Sequence, residues 1–598
     1  MIAEVLRRKT RTVMVGNVSV GSDEPIRIQS MLTSETTDLN GVMREIKALD
    51  QVHCEMIRIT IPNRKALDTI PEVRRMMSEE GIQRPLIADI HFNPLLAVDS
   101  CEYFEKVRIN PGNYADHKKF EIREYSDQQY AEELERIEES LFPLVKSLKS
   151  HQRSLRIGTN HGSLSDRIMN RFGDSPEGMV QSAMEFLRIF KKHGFHETIL
   201  SMKSSNPLVM KEAYRLLVQR MDEESMDYPL HLGVTEAGNA AEGRIKSAVG
   251  IGGLLCQGLG DTIRVSLTEP AEDEIPAAKA ILRDVQGLMD KWSQKGSKQS
   301  IAGHKENFQH QTKSQPKENL FESLSHKSLD KAQKSIFLLE SSGCRIGPGE
   351  NFKLLAWKDE FDFSDPKNVF DAKLDRSIQQ DFLLVDDETI AQGWDEKSLG
   401  RFNSKMLFLE SKNPLLLFQK LIQSLPLNKT PLAIGYLLPA IESIEDHLGL
   451  AAEIGELIST EALHALVCSK DDPESMQSQF AQILMQATRV RIFQADFISC
   501  PSCGRTFFDL QLTTDLIKQK TAHLTGVKIA VMGCVVNGPG EMADADYGYV
   551  GAGPGKGHLY RGKQCIERNI SSHTAVEHLI ELIRSDGQWV NPAEVSDA

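Results

Sequence analysis

The 598-residue sequence lacks any apolar run approaching the roughly 20 residues that a bilayer-spanning helix needs, so no membrane span is expected. It also lacks a cationic excess. Seventy Lys and Arg against 84 Asp and Glu leave a formal net charge of -14, which argues against a general nucleic-acid binder, whose positive field must recruit phosphate backbone. Nine cysteines are too few for a disulfide scaffold, and three of them are concentrated in one stretch, a usage that fits a reducing compartment. The N-terminal residues, Met1 to Arg8, show neither an apolar signal core nor a long Ser- and Arg-rich transit segment. The expectation is a cytoplasmic protein, bacterial rather than organelle-imported. Over 293–319 even ordinary apolar periodicity is missing, with Ile301 and Phe308 as the sizeable apolar residues, so that stretch reads as a flexible polar connection.

What is present is otherwise ordinary for a soluble globular chain, at 40% hydrophobic and 26% charged residues, with length for three or four domains. A short hairpin with a Gly16-Asn17 turn is expected over 13–20. Strand-like runs then alternate with helical segments eight times, at 26–31, 56–61, 85–90, 106–110, 155–158, 198–202, 230–234 and 262–267. Eight β-then-α units predict a (β/α)8 barrel, with a doubly wound open sheet as the alternative.

The strands carry unusual polar residues. Arg58, Arg108, Arg156 and Arg264 each lie between two aliphatic residues. Strand side chains alternate faces, so if those aliphatics pack outward on helices, all four arginines point into the barrel. Buried guanidinium groups need anions. Internal carboxylates such as Glu35, Asp89 and Glu236 are candidate partners, but with Lys203 also at a strand end positive charge remains in surplus. A di- or polyphosphate ligand would balance it. Asp89, His91, Asn160, Glu236 and Ser266 fall at the same strand ends, where barrel sites form, whereas Asn113 and Asn206 read as turn formers or helix caps. Glu236 is the leading candidate for proton donation to a substrate oxygen, followed by Asp89 and His91.

A second α/β unit is expected over 320–486, with strands near 335–339, 382–385, 406–409, 432–437 and 462–467. Near the C-terminus, strands at 490–492 and 527–531 flank a helix at 514–523. A hairpin with a glycine-rich turn at 551–557 and a closing helix from His573 follow. This region holds Cys500-Pro501-Ser502-Cys503-Gly504-Arg505 and Met532-Gly533-Cys534-Val535-Val536-Asn537-Gly538-Pro539-Gly540-Glu541. Three thiols suit structural zinc or an iron–sulfur cluster, with Cys565 or Glu541 as fourth ligand. A carboxylate binds iron more weakly than thiolate, so a Glu541 corner would be openable.

Together, the arginine-lined barrel and these two motifs resemble the 4-hydroxy-3-methylbut-2-enyl diphosphate synthase family, over roughly 1–285 and 485–598. The middle region matches that family's long, three-domain form. The resemblance implies a TIM barrel over 1–287, a linker at 288–319, an α/β insert at 320–486 and an α+β cluster domain at 487–598. It implies a 4Fe-4S cluster on Cys500, Cys503, Cys534 and Glu541, and a cyclic diphosphate held by Arg58, Arg108, Arg156, Lys203, Arg264 and Ser266, with Asn160 near its hydroxyls. Implied too is a two-electron reduction fed by flavodoxin or ferredoxin, since no strand–GxGxxG–helix element for a nicotinamide is found. Barrel and cluster domain must then close on each other, either across a homodimer or within one chain. Two rival readings remain: a barrel lyase with a structural zinc tail, and a non-enzymatic cluster protein.

Overall fold

The computed structural model describes residues 7–114, 125–298, 337–339, 344–346, 352–357, 372–374, 382–386, 406–424, 433–469, 472–500, 506, 508–535, 538–542 and 545–591. The hairpin forms as expected, from β1 (Val13–Val15) and β2 (Val18–Val20), with Gly16 at φ +59 in the turn. Eight parallel strands follow: β3 (Arg27–Met31), β4 (Met56–Thr60), β5 (Leu86–Asp89), β6 (Lys106–Ile109), β7 (Ser154–Asn160), β8 (Thr198–Lys203), β9 (His231–Leu232) and β10 (Thr262–Ile263). β3 to β8 pair in chain order, β10 joins β3 to β9, and a parallel bridge between Leu200 and Leu230 brings β8 to β9. That closure makes a barrel and rules out the open sheet.

Period-two alternation sorts the two faces of these strands. Ile57, Ile59, Val107, Ile109, Leu155, Ile157, Ile263 and Val265 lie in the core between strands and helices. Helix Pro176–Lys192 shows the matching pattern: Ser175 caps the Gly178 N–H, and Met179, Ala183, Phe186 and Phe190 bury one face. At the N-terminal end of the barrel, Val13, Val15 and Val20 of the hairpin pack on Met56, Ile87 and Ile199. The barrel therefore has an apolar, plugged floor.

Helix Glu274–Lys298 continues into the stretch expected to be linker from 288. The middle unit is a six-stranded parallel sheet in the order β14-β13-β18-β17-β16-β15, formed by β13 (Lys353–Trp357), β14 (Ala372–Leu374), β15 (Phe382–Val385), β16 (Met406–Leu409), β17 (Ala433–Leu437) and β18 (Ala465–Cys468). β11 (Phe337–Leu339) and β12 (Cys344–Ile346) form a separate hairpin. Strands β12, β13 and β14 were not foreseen. Helix Leu448–Ser459 of this unit lies against the barrel's flank, and its apolar core is continuous with the barrel's. Gly252 and Gly455 make the approach close: a Cβ on Gly252 would sit 2.4 Å from Ala452 Cβ, and one on Gly455 2.8 Å from Val249. Glu456, fully buried at this seam, pairs ionically with Lys211 (2.5 Å) and accepts from Arg215 (2.9 Å).

The C-terminal domain is a five-stranded sheet: β19 (Asp496–Ser499), β20 (Lys528–Met532), β21 (Tyr547–Gly553), β22 (Lys556–Arg561) and β23 (Gln564–Ser571), with the first three parallel and the last two added as antiparallel hairpins. The strand expected at 490–492 is not one. Val490 and Phe493 instead pack on the core, and Gln486 Oε1 accepts from the Phe493 and Gln494 N–H groups, so the strand starts at Asp496. The glycine-rich stretch at 551–557 is mostly strand, turning at Gly555 (φ +65). Helix Ala575–Ser585 closes the domain through Ala575, Leu579 and Leu582. Among the described residues, no helix is long and apolar enough to cross a membrane.

Candidate active site

Arg58, Arg108 and Arg156 reach the barrel interior from β4, β6 and β7, Lys203 from the end of β8, and Arg264 directly after β10. All are buried, Arg156 to 1% exposure. Asp89 accepts from Arg108 Nη1 at 3.1 Å and lies 3.1 Å from His91 Nε2. Arg108 also donates to the Gly158 carbonyl (2.9 Å), and only glycine fits there, since a Cβ would stand 2.4 Å from Arg108 Nε. Glu274 takes a forked pair from Arg264, 3.0 and 2.8 Å. Arg58 donates to the Met31 sulfur at 3.1 and 2.8 Å, and Arg156 Nε and Nη1 are buried with no hydrogen-bond partner among the described residues.

The expected internal partners are thus partly wrong. Asp89 serves, but Glu35 is exposed, because the loop after β3 turns outward and its carboxylate accepts from Thr37 instead. Glu274, ten residues beyond Arg264 at a helix start, takes that role. Among the described residues, no carboxylate forms an ion pair with Arg58, Arg156 or Lys203.

The electrostatics follow from this shortage. Burial would raise the Asp89 carboxyl, but Arg58, Arg108 and His91 outweigh it and hold Asp89 well below the usual carboxylate range. Burial, then repulsion from Arg264 and Arg108, brings Arg58 down to about 10 despite Asp89. Burial and neighbouring arginines likewise push Arg156 and Lys203 well below their ordinary values. A cationic chamber short of anions is a binding site for one.

Asn160 ends β7, Ser266 lies two residues past Arg264, and both are buried. Glu236 follows β9, 2% exposed, and accepts from Thr235 Oγ1 at 2.5 Å. Its φ of +48 places a non-glycine residue in the left-handed region, a strain of roughly 1–3 kcal/mol of the kind found at functional sites. Asn206 caps helix Pro207–Glu223, as expected. Lys106, His231 and Gln29 also point inward and were not singled out, although the alternation that identified Arg108 places Lys106 on the same face.

The C-terminal domain sits over this mouth in the same chain. Ser499 forms a parallel bridge with Ala237, next to Glu236, and Thr268 Oγ1 lies 2.8 Å from Ser499 Oγ and donates to the Cys500 carbonyl at 3.2 Å. Lys246 reaches Asp496 at 3.2 Å, and Lys518 reaches Glu242 and Asn239 at 2.8 Å each. The short helix Gly538–Glu541 packs beside His161–Ser163, which follow β7.

Cys500 follows β19 and Cys534 follows β20, and these strands are parallel neighbours with Ser499 opposite Val531, so both thiols emerge at one end of the sheet. The Gly533 N–H donates to Cys500 Sγ at 3.2 Å. Neither cysteine is in a disulfide. This donor set fits a thiolate-bound metal centre. Cys503 lies outside the described residues, as does the side chain of Glu541. Cys565, second residue of β23, lies in register through Tyr560 and Gly548 with Ala530, three strand spacings, about 14 Å, from β20 and away from the end where Cys534 emerges.

Comparison with known proteins agrees with this arrangement. The model of the GcpE TIM-barrel domain matches residues 10–279, and that of the GcpE C-terminal domain matches 496–585. A protein of Leptospira interrogans named 4-hydroxy-3-methylbut-2-en-1-yl diphosphate synthase (flavodoxin) is 42% identical, over 98% of both chains. One of the same name from Akkermansia muciniphila is 41% identical, over 98% of both. The chloroplastic, ferredoxin-designated protein of Oryza sativa is 40% identical, over 99% of this chain and 89% of its own. The chain belongs to the GcpE family. Within that family it is an enzyme of the oxidoreductase class. The two GcpE segments coincide with the barrel and the cysteine-bearing domain, while 280–495 lies between them and is shared with the full-length relatives.

Proposed function

We propose that the protein reduces 2-C-methyl-D-erythritol 2,4-cyclodiphosphate to (E)-4-hydroxy-3-methylbut-2-enyl diphosphate, a step toward isoprenoid precursors. The carrying observation is the anion-poor cationic chamber lying beneath the domain that brings Cys500 and Cys534 to one end of its sheet. Arg58, Arg156, Lys203 and Arg264 bind the diphosphate, with Ser266 completing the cradle and Asn160 facing the hydroxyls. Arg108 and His91 are oriented through Asp89. Cys500, Cys503, Cys534 and Glu541 would hold a 4Fe-4S cluster, which when bound supplies two electrons one at a time. The ring carbon–oxygen bond to phosphate breaks with its pair left on phosphate. Two electrons and one proton then complete the alkene as hydroxide leaves as water. Glu236, on its strained turn at the rim, gives that proton. Reduced flavodoxin or ferredoxin is the electron source.

The domain assignment is proposed as 1–287 for substrate binding, 288–319 as linker, 320–486 as a brace, and 487–598 for the cluster. Contacts of Ser499 and Cys500 with the mouth of their own barrel support a site built within one chain. The test is to purify the protein without oxygen, measure iron and sulfide, and supply the cyclodiphosphate with reduced flavodoxin. About four irons and four sulfides, and an alkenyl diphosphate product that disappears in Glu236→Gln, are expected. One zinc, no sulfide and no consumption would overturn the reading.

A further inference from the structure

Between the apolar floor and the cationic ring lies a polar layer. Gln29 of β3, Lys106 of β6, Ser201 of β8, His231 of β9 and Thr262 of β10 all point inward and are buried, with Lys106 and His231 at 0% exposure. Thr262 stands opposite His231 in register. Lys106 Nζ has only marginal contacts, 3.5 Å to Gln29 Oε1 and 3.7 Å to Met56 Sδ. Both His231 ring nitrogens, Gln29 Nε2, Ser201 Oγ, Thr262 Oγ1 and the inner nitrogens of Arg156 are buried without a protein hydrogen-bond partner among the described residues. Buried polar atoms in that number call for ordered water.

The charged groups that act most strongly on this layer are cations. Arg156 of β7 and Arg58 of β4 face Lys106, and those two with Lys203 of β8 and Lys106 itself face His231. Burial first, then these cations, push Lys106 and His231 well below their ordinary values, so the ligand-free layer disfavours a proton on either group. A polyanion on the ring above offsets the positive field they sit in.

We propose that the Lys106–His231 layer takes up a proton when a diphosphate occupies the ring above it. The inference rests on the reading of that ring as a diphosphate site. The added charge backs Arg156 from below, so both are positioning residues for the bound anion. Lys106, the stronger base, holds the proton, and Ser201 and Thr262 solvate it through water. For one coupled proton, affinity falls about tenfold per pH unit above the free-state pKa and levels off above the bound-state one.

The experiment is titration calorimetry of the full-length holoenzyme with inorganic pyrophosphate, in two buffers of different ionisation heat. Wild type should take up more protons than Lys106→Met, and the pH slope of affinity should be flatter in that variant. Equal uptake and equal slopes with binding intact would overturn the layer and leave the ring reading standing. Absence of pyrophosphate binding to wild type would overturn both. If Lys106→Met does not fold, histidine-labelled wild type decides by NMR, the His231 signal being assigned with His231→Asn. A pyrophosphate-dependent shift of that signal, together with proton uptake in wild type, supports the proposal, and an unmoved signal without uptake sinks it.

Discussion

The barrel carries two domains, and the seams that hold them are built differently. On the flank, helix Leu448–Ser459 shares one continuous apolar core with the barrel, brings glycine against alanine and valine, and buries Glu456 on Lys211. At the mouth, the cysteine-bearing domain keeps its own apolar clusters and meets the barrel through hydrogen bonds: Thr268 to Ser499 and Cys500, Lys518 to Glu242, and Lys246 to Asp496. Close-packed apolar seams resist separation, whereas hydrogen bonds can be exchanged for water at modest net cost. The flank seam is therefore a fixed brace and the mouth seam a joint that can open.

The largest effect that would break this contrast concerns Glu456. Replacing it with alanine strands Lys211 in the core and should cost roughly 3–5 kcal/mol in denaturant unfolding. A loss no larger than that of a mouth substitution would show the brace to be no stronger than the joint. Next, Lys246→Met should cost about 1–3 kcal/mol, because Asp496 keeps Arg489 as a second partner. Burial raises the Asp496 carboxyl, but Lys246 and Arg489 outweigh it and hold it below its ordinary value. Its contribution is then complete above the unfolded-state value near 3.8 and is lost as pH falls through the lower folded-state value. Acid melts of wild type and Lys246→Met should converge there. Thr268→Val should cost about 0.5–1.5 kcal/mol while lowering turnover by a larger factor, read as a kcat loss at near-constant melting temperature. Smallest is Lys518→Met, whose largely buried pair with Glu242 should be worth about 1 kcal/mol and be weakened by salt. Proteolysis rates at rising ionic strength should change at the mouth and not at the flank.

Much of this was legible in the sequence, for a physical reason. The eight strands announce themselves because each outward face must be aliphatic to pack on helices, and the same period-two rule turns Arg58, Arg108, Arg156 and Arg264 inward. Partners were not legible in the same way. Glu274 meets Arg264 only because the chain turns after β10 into a helix, and Glu35 misses the interior because its loop turns outward; neither fact has a local sequence signature. Val490–Ile492 carried strand-like residues, but tertiary packing on the preceding helix won over propensity. Lys106 could have been found, since it is two residues before Arg108 on one strand.

The hairpin beneath the barrel has a kinetic meaning. With Val13, Val15 and Val20 sealing one end, the chamber formed by the described residues is closed at its floor and roofed at its mouth by the domain proposed to deliver electrons. Entry of the next molecule has to wait for exit of the last, so the two cannot bind at once and the product competes directly with the substrate. For the proposed reaction, every turnover then requires the roof to lift.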